Sequence, residues 1–165
     1  MRSIIIYTTK YGCTEKVALK LKSYMQGDVK LVNLMKEKAP SLEGYDRVII
    51  GGSIYYGRIQ KKLTEYMTAA QSELISKRLG LFICAASPDI DTRKQELEQS
   101  FPVELYEHAA CHDILGSEVN YNKLRVLDRI IFRMVSKTKT SYSHIPEDEI
   151  QRFANVMDSI RATNE

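Results

Sequence analysis

The sequence predicts an α/β protein with a doubly wound parallel sheet, and three observations support this fold class. Apolar runs rich in β-branched residues alternate with stretches of helical periodicity, which is typical of strands joined by crossover helices. The length of 165 residues suits one domain with a sizeable core, spanning residues 1–165. A hydrophobic fraction of 44% and a charged fraction of 27% exclude a largely disordered chain.

The first half of the chain contains three predicted strands and one helix. Ser3–Thr8 is a nearly continuous β-branched run, as expected for a strand that is buried on both faces. In Thr14–Gln26 the apolar residues recur at helical spacing. Val29–Leu34 is predicted as a second, shorter strand, and Val48–Gly52 as a third strand that ends in two glycines.

The second half continues the alternation. Gln60–Ser76 carries apolar residues on one helical face, and Leu79–Cys84 is an apolar run of strand length. Thr92–Ser100 is predicted as a helix capped by Asp91 or by Thr92 itself. A fifth strand is expected within Glu104–Leu115.

The last predicted helix starts near Pro146 and runs to about Ile160, with proline and acidic residues in its first turn. The pattern therefore gives five strands interleaved with helices. Because crossover connections between parallel strands are right-handed, such a pattern folds into one sheet with helices on both faces. Ligands of such sheets bind outside the carboxyl ends of the strands, so the loops after strands one, three and four should form the site.

The positive charge of the protein is concentrated in one segment. The formal net charge is +3, but residues 121–140 hold six basic residues and one acid, so the rest of the chain is slightly acidic. Arg125, Arg129, Arg133 and Lys137 recur every four residues, which places them in one stripe on a helix. A broad arc opposite that stripe is apolar: Leu124, Val126, Leu127, Ile130, Ile131, Met134 and Val135.

This basic amphipathic helix lies in a long insertion at about residues 117–145, and three interpretations compete. It packs on the domain with a solvated basic edge, it docks Leu124–Lys137 on an anionic membrane surface, or it forms a wall over a bound cofactor and receives an organic substrate. Nucleic acid is not expected as a partner, because no aromatic residues are interleaved with the basic ones to stack on bases.

The chain has no apolar run near the roughly 18 residues that a transmembrane helix needs, and its apolar start is too short for a secretory signal. We therefore expect a cytoplasmic protein, placed at the inner face of the membrane if the basic helix docks there. Cys13, Cys84 and Cys111 match neither a disulfide framework nor a zinc site, and Cys84 and Cys111 are expected to be buried on strands. No metal site and no catalytic residue is assigned.

The loop after the first strand reads Thr8-Thr9-Lys10-Tyr11-Gly12-Cys13-Thr14. It leads into a helix N-terminus, whose free N–H groups and positive dipole suit a phosphate. The threonines add hydroxyl donors, Gly12 permits a close turn, and the helix N-terminus should lower the pKa of the Cys13 thiol. An ordinary β–α turn capped by Thr14 is the alternative, since neither a Walker A loop nor G-x-G-x-x-G is present.

The pattern T-x-x-x-G-x-T at Thr8–Thr14, directly after an N-terminal strand, resembles the phosphate loop of flavodoxins, and V-I-I-G-G-S-I-Y-Y-G at Val48–Gly57 resembles their second flavin loop. The sequence also resembles the flavodoxin-like, menaquinone-dependent protoporphyrinogen oxidase family. That similarity rests on Tyr45-Asp46-Arg47-Val48, on Gly51-x-Ser53-Ile54-x-Tyr56-Gly57 and on Asp128-Arg129 before an apolar-basic helix.

The resemblance implies a five-stranded flavodoxin-like sheet of order 2-1-3-4-5 and a non-covalently bound FMN. Thr8 to Thr14 would wrap the phosphate, and the isoalloxazine ring would lie between a second loop of Ser53, Ile54, Tyr55, Tyr56 and Gly57 and a third loop of Ala86, Ser87, Pro88 and Asp89. Gly51, Gly52 and Gly57 suit a loop that approaches the ring closely or changes its peptide orientation. The third loop offers no aromatic platform, so stacking would fall to Tyr55 or Tyr56.

The leading hypothesis is an FMN-dependent oxidoreductase, as the resemblance implies, that passes electrons from a porphyrinogen-type substrate to a quinone or another acceptor. The first alternative is a flavodoxin-type electron carrier that recognises a redox partner and has no substrate of its own. The second is a flavin-free module that binds a membrane or a partner through the basic helix.

Overall fold

The computed structural model describes residues 1–136 and 140–159 of the chain. They form a six-stranded sheet of order β2-β1-β3-β4-β5-β6. The first five strands are parallel and β6 runs antiparallel to β5, so the predicted order 2-1-3-4-5 is confirmed and one edge strand is added. The strands are β1 Arg2–Tyr7, β2 Asp28–Asn33, β3 Arg47–Ser53, β4 Arg78–Cys84, β5 Cys111–Val119 and β6 Tyr142–His144.

Seven α-helices lie in the described part of the chain, with helices on both faces of the sheet. They are α1 Cys13–Tyr24, α2 Lys61–Ala69, α3 Gln71–Ile75, α4 Ile90–Gln99, α5 Val103–His108, α6 Val126–Ser136 and α7 Glu147–Asp158, and a 3-10 turn at Tyr121–Lys123 precedes α6. The predicted end of the last helix, Ile160, lies outside the described residues. None of these helices has the length and apolar character that a membrane crossing requires.

Three predicted elements need correction. The helix predicted over Gln60–Ser76 is two helices, because the backbone of Ala70 leaves helical geometry between α2 and α3. The first residues of the predicted fifth strand form α5 instead, with Leu105 buried, and β5 begins only at Cys111. Helix α4 starts earlier than predicted, because Asp89 rather than Asp91 or Thr92 is its cap and accepts a hydrogen bond from the N–H of Thr92 at 2.7 Å.

The core has two halves, one on each face of the sheet, because alternate residues of a strand point to opposite faces. Ile4 and Ile6 of β1 pack in the half that contains α2 to α5, whereas Ile5 packs in the half that contains α1 and α7. All three isoleucines are fully buried. The two-sided burial explains why the parallel strands are continuous apolar runs, and it holds the loops at their carboxyl ends in fixed positions.

Gly51 and Gly52 belong to this core and not to a loop that approaches a ligand, so their predicted role was wrong. A Cβ on Gly51 would lie 2.1 Å from Cζ of Phe82, and one on Gly52 would lie 2.5 Å from Cδ1 of Ile59. Both glycines are buried within β3. Their small size lets the helix layer and Phe82 approach the strand just before the candidate site.

Candidate functional site

A cavity of about 400 Å³ lies outside the carboxyl ends of β1, β3 and β4. The fold therefore brings together the three loops that the sequence selected. Of the predicted site residues, the cavity wall contains Thr9, Lys10, Tyr11, Cys13, Ser53, Ile54, Tyr55, Tyr56, Gly57, Ala86, Ser87 and Pro88. Helix α6 and the end of β5 close the cavity on another side, and its wall is mainly apolar.

The β1–α1 loop turns tightly into the N-terminus of α1. Gly12 adopts a left-handed conformation with φ of 99°, and its N–H donates to Oγ1 of Thr9 at 2.9 Å. Within the described chain no side chain caps the first turn of α1, and Thr14 is buried against Cys84. A helix N-terminus without a side-chain cap, next to the hydroxyl of Thr9 in the cavity wall, fits a phosphate group.

Four predicted site residues lie outside the cavity wall. Thr8 is buried and donates its hydroxyl hydrogen to Oε1 of Gln60 at 2.7 Å, while Nε2 of Gln60 donates to Oγ of Ser53 at 2.8 Å. Thr8 thereby connects the first loop to the second. Gly12 and Thr14 lie at the start of α1, on the side away from the cavity. Asp89 is the N-cap of α4, and its side chain accepts a hydrogen bond there.

The second loop ends in a tight turn at residues 55–58. The N–H of Tyr55 donates to the carbonyl of Arg58 at 2.8 Å and the N–H of Arg58 donates back at 3.2 Å. Both central residues have positive φ, 50° for Tyr56 and 73° for Gly57, as in a type I′ turn. This conformation suits glycine but is strained for a tyrosine. It places the rings of Tyr55 and Tyr56 4.1 Å apart.

The third loop is held from the sheet edge. The hydroxyl of Tyr142 in β6 donates to the carbonyl of Ala86 at 2.7 Å. The loop itself contributes Ala86, Ser87 and Pro88 to the cavity wall. As the sequence indicated, it supplies no aromatic ring, so the tyrosines of the second loop provide the flat apolar surface.

Asp128 is the site residue for which sequence reasoning assigned no role. It lies in the first turn of α6, is 7% exposed and contributes to the cavity wall. Its carboxylate accepts hydrogen bonds from the hydroxyls of Tyr11, Tyr55 and Tyr56 and pairs with the ammonium group of Lys10 at 3.2 Å. The available signal was that Asp128 is the single acid in the basic segment.

Helix α6 has two apolar faces, one toward the cavity and one toward solvent. Ile131 and Phe132 contribute to the cavity wall, whereas Val126, Leu127, Ile130 and Met134 are exposed by 72%, 71%, 50% and 75%. The predicted apolar arc is therefore divided between the cavity and solvent. This agrees with the interpretation of α6 as a cavity wall, and it contradicts simple packing of the whole arc on the domain.

The predicted basic stripe is also divided. Arg125 precedes α6, and Lys137 lies outside the described residues, as does the side chain of Val135. Arg129 donates to the carbonyls of Tyr121 and Asn122 at 3.2 and 2.7 Å. Arg129 therefore stabilises the turn that leads into α6. Arg125 and Arg133 are exposed.

The cavity also contains titratable groups besides Asp128. Burial raises the pKa of Glu96, one of whose carboxylate oxygens has no hydrogen-bond partner in the described structure. Glu118 in β5 is bound by Lys16 at 2.7 Å. Burial, followed by the hydrogen bond to Asp128, raises the pKa of Tyr11, so its hydroxyl remains a donor at neutral pH.

Two of the cysteines, Cys13 and Cys84, lie side by side in the cavity wall. A Cβ on Gly116 would lie 3.0 Å from the sulfur atoms of both Cys13 and Cys84. A hydrogen bond with Cys84 is the main cause that lowers the pKa of Cys13, so the predicted direction holds with a different leading cause. Burial raises the pKa of Cys84. Cys84 is buried on a strand as predicted, and Cys111 is half-buried.

The comparisons with known proteins agree with this geometry. The flavodoxin domain family matches residues 4–145. Protoporphyrinogen IX dehydrogenase (quinone) of Escherichia coli strain K12 is 25% identical over 146 residues, which cover 83% of this chain and 80% of that protein.

Two solved structures share the fold. Flavodoxin 1 of Bacillus cereus superposes with a TM-score of 0.56 at 14% identity, covering 95% of this chain and 97% of its own. A flavodoxin-like protein of Agrobacterium tumefaciens superposes with a TM-score of 0.54 at 18% identity, covering 94% and 96%. Since the family match spans most of the sequence and agrees with the sheet order and the loop positions, this chain belongs to the flavodoxin domain family.

Proposed function

We propose that this protein binds FMN non-covalently and uses it as an oxidoreductase acting on an organic substrate. The carrying observation is that the three loops converge on one cavity whose fourth side is the apolar inner face of α6. When bound there, FMN would supply the site that accepts or donates hydride and electrons. A carrier that exchanges electrons only at a surface has no need of such a wall.

The residues of the cavity would hold the cofactor in one orientation. Thr9 and the first turn of α1 would hold the phosphate, because the helix terminus has no side-chain cap among the described residues. Tyr55 and the third loop would border the ring from either side, and Lys10, whose ammonium lies 3.2 Å from the Tyr55 ring centroid, would stand at the boundary between phosphate and ring. The enzyme from Escherichia coli suggests a porphyrinogen-type donor and a quinone acceptor.

The first experiment is to load the purified protein with FMN, remove the excess and record flavin absorbance at roughly 350–500 nm, a band set by the cofactor rather than by the chain. Loaded protein should then oxidise protoporphyrinogen IX with a menaquinone analogue as acceptor. Retained flavin without oxidation of this donor would favour the electron carrier, which should exchange electrons with a reductase in a salt-sensitive manner. Failure to retain FMN would contradict both redox hypotheses.

We further propose, as part of this function, that α6 docks on an anionic membrane surface. Val126, Leu127, Ile130 and Met134 form an exposed apolar surface, flanked by exposed Arg125 and Arg133. Such a combination favours the interface of a membrane with acidic headgroups. Because Leu124 and Ile131 of the same segment reach the cavity wall, a donor or acceptor dissolved in lipid would meet the site directly.

Co-sedimentation with vesicles tests this contact. Full-length protein should bind vesicles that contain phosphatidylserine more tightly than neutral ones. The paired change Leu127→Ser and Ile130→Ser should weaken binding about tenfold, because two apolar side chains no longer enter the interface. Val103→Ser, which alters an exposed apolar residue on α5, serves as the control. Equal binding by the double variant and the wild type would contradict the proposal.

A further inference from the structure

We infer that Asp128 is the positioning residue of the flavin site, which fixes α6 and the strained 55–58 turn against the β1–α1 loop. The inference rests on the proposed function, because it assumes that the cavity binds a flavin. The contacts from which it is argued are contacts between residues of this chain. Asp128 acts through its neighbours and is assigned no step in the redox chemistry.

The carboxylate of Asp128 uses its full capacity as an acceptor. Oδ1 accepts from the hydroxyls of Tyr55 and Tyr56, the latter at 2.9 Å, while Oδ2 accepts from Tyr11 and pairs with Lys10. A carboxylate offers about four acceptor positions, so each oxygen is satisfied twice. Burying a charge is costly unless it is paired and hydrogen-bonded, and this site provides both.

The four partners of Asp128 come from two different loops. Lys10 and Tyr11 belong to the β1–α1 loop, and Tyr55 and Tyr56 belong to the turn after β3. Tyr11 makes a second contact, because its hydroxyl also accepts from the N–H of Arg125 at 3.4 Å. The start of α6 is therefore joined to the proposed phosphate loop by main chain as well as by side chain.

The backbone of Tyr56 provides a separate argument. Its φ of 50° is left-handed, a strained conformation for a residue with a Cβ. The ring is 53% exposed, so burial contributes little to holding it in place. The ring also contacts that of Tyr55, and the hydrogen bond to Asp128 connects this strained residue to α6. Loss of the carboxylate should release the turn and α6 together.

Asp128→Asn tests the inference first in cofactor-free protein. The substitution keeps the volume but places an amide donor where Lys10 or the tyrosine hydroxyls now donate. Amide hydrogen exchange at residues 53–58 and 126–134 should accelerate about tenfold, since hydrogen bonds to a charged group are lost. Exchange in β1 and β4 should stay unchanged. Asp148→Asn, at an exposed carboxylate of α7, is the matched control.

The second measurement is the rate of FMN dissociation in a double-mutant cycle. Asp128→Asn should raise this rate about tenfold or more in wild-type background, and much less when Tyr55→Phe and Tyr56→Phe have already removed the hydroxyls. Independent, multiplying effects in the two backgrounds would show that Asp128 does not act through these hydroxyls, and that result would overturn the inference. Wild-type exchange of α6 in Asp128→Asn would overturn it as well.

The two proposals fail in different ways. Wild-type protein that retains no FMN contradicts the proposed function, and the exchange experiment on cofactor-free protein still decides the role of Asp128. Retained FMN with the same dissociation rate in Asp128→Asn leaves the flavin site intact and refutes the positioning role.

Discussion

The two sides of the cavity are built in different ways. The β1–α1 loop depends on local main-chain geometry, with Gly12 in a left-handed conformation and Thr9 accepting from a residue three positions away. The α6 side depends on long-range side-chain contacts, in which Asp128 binds residues that precede it by 117, 73 and 72 positions. The geometry of the first side is therefore determined by neighbouring residues in the sequence. The geometry of the second side depends on contacts between residues that are distant in the sequence.

The largest expected effect comes from a charge on the local side. Thr9→Glu should weaken FMN binding at least about 100-fold, because it places a carboxylate beside the proposed phosphate position in a partly buried loop. Titration of flavin fluorescence measures the change. Thr64→Glu on the exposed face of α2 is the control and should bind FMN as wild type does. Unaltered affinity in Thr9→Glu would mean that the phosphate lies elsewhere.

The difference between local and long-range contacts explains which parts of the fold and of the candidate site could be predicted from the sequence. The strand order and the positions of the three loops follow from apolar runs and from the crossover rule, both of which are visible along the chain. The β1–α1 loop was identified because glycine, hydroxyls and a helix start occur within seven residues. Local patterns of this kind need no knowledge of distant contacts.

The α6 side was predicted only in outline, for a physical reason. Helical periodicity finds the apolar arc of α6 but does not say which part faces the cavity, so exposed Ile130 and cavity-lining Ile131 look alike. In the same way, Asp128 gains its role only from three tyrosines that folding brings to it. The β6 edge strand was missed because it is three residues long and exposed.

The next prediction compares main-chain strain in the β1–α1 loop with strain in the 55–58 turn, which Asp128 of α6 contacts. Gly12→Ala and Gly57→Ala should each lower the free energy of unfolding by about 1–2 kcal/mol, because both glycines have positive φ. A Cβ at either position meets open space, so strain rather than a clash is measured. Chemical denaturation gives the values.

Gly57→Asn serves as the rescue variant, since asparagine tolerates the left-handed region better than alanine. It should recover part of the stability lost in Gly57→Ala. Full wild-type stability in both alanine variants would show that neither turn needs its left-handed residue.

A smaller effect separates the two apolar faces of α6. Ile131→Ser should lower the local stability of α6 by about 1 kcal/mol, because it removes apolar contact at the cavity wall. Ile130→Ser is its matched control, and at its 50% exposed position it should change local stability by less than about 0.5 kcal/mol. Amide exchange within residues 126–134 measures both. Equal losses would show that the two faces pack alike.

The smallest expected effect concerns Glu96, the cavity carboxylate that lacks the partners given to Asp128. Burial raises its pKa in the folded protein above that of the unfolded chain. The folded state therefore binds more protons between these two pKa values, and stability falls as pH rises through that interval. Glu96→Gln removes this penalty, so it should stabilise the protein at pH 7 by well under about 1 kcal/mol, since the side chain is partly solvated.

Denaturant midpoints at neutral pH and near pH 4 distinguish this cause from a change in packing. The gain in Glu96→Gln should shrink toward acidic pH, where the wild-type carboxyl is protonated in both states. Glu98→Gln, at an exposed position of the same helix, should show no such pH dependence. A gain that persisted in acid would instead mean that the amide packs better than the carboxyl. In that case the burial of the Glu96 carboxylate, one oxygen of which lacks a hydrogen-bond partner in the described structure, would not be what lowers stability at neutral pH.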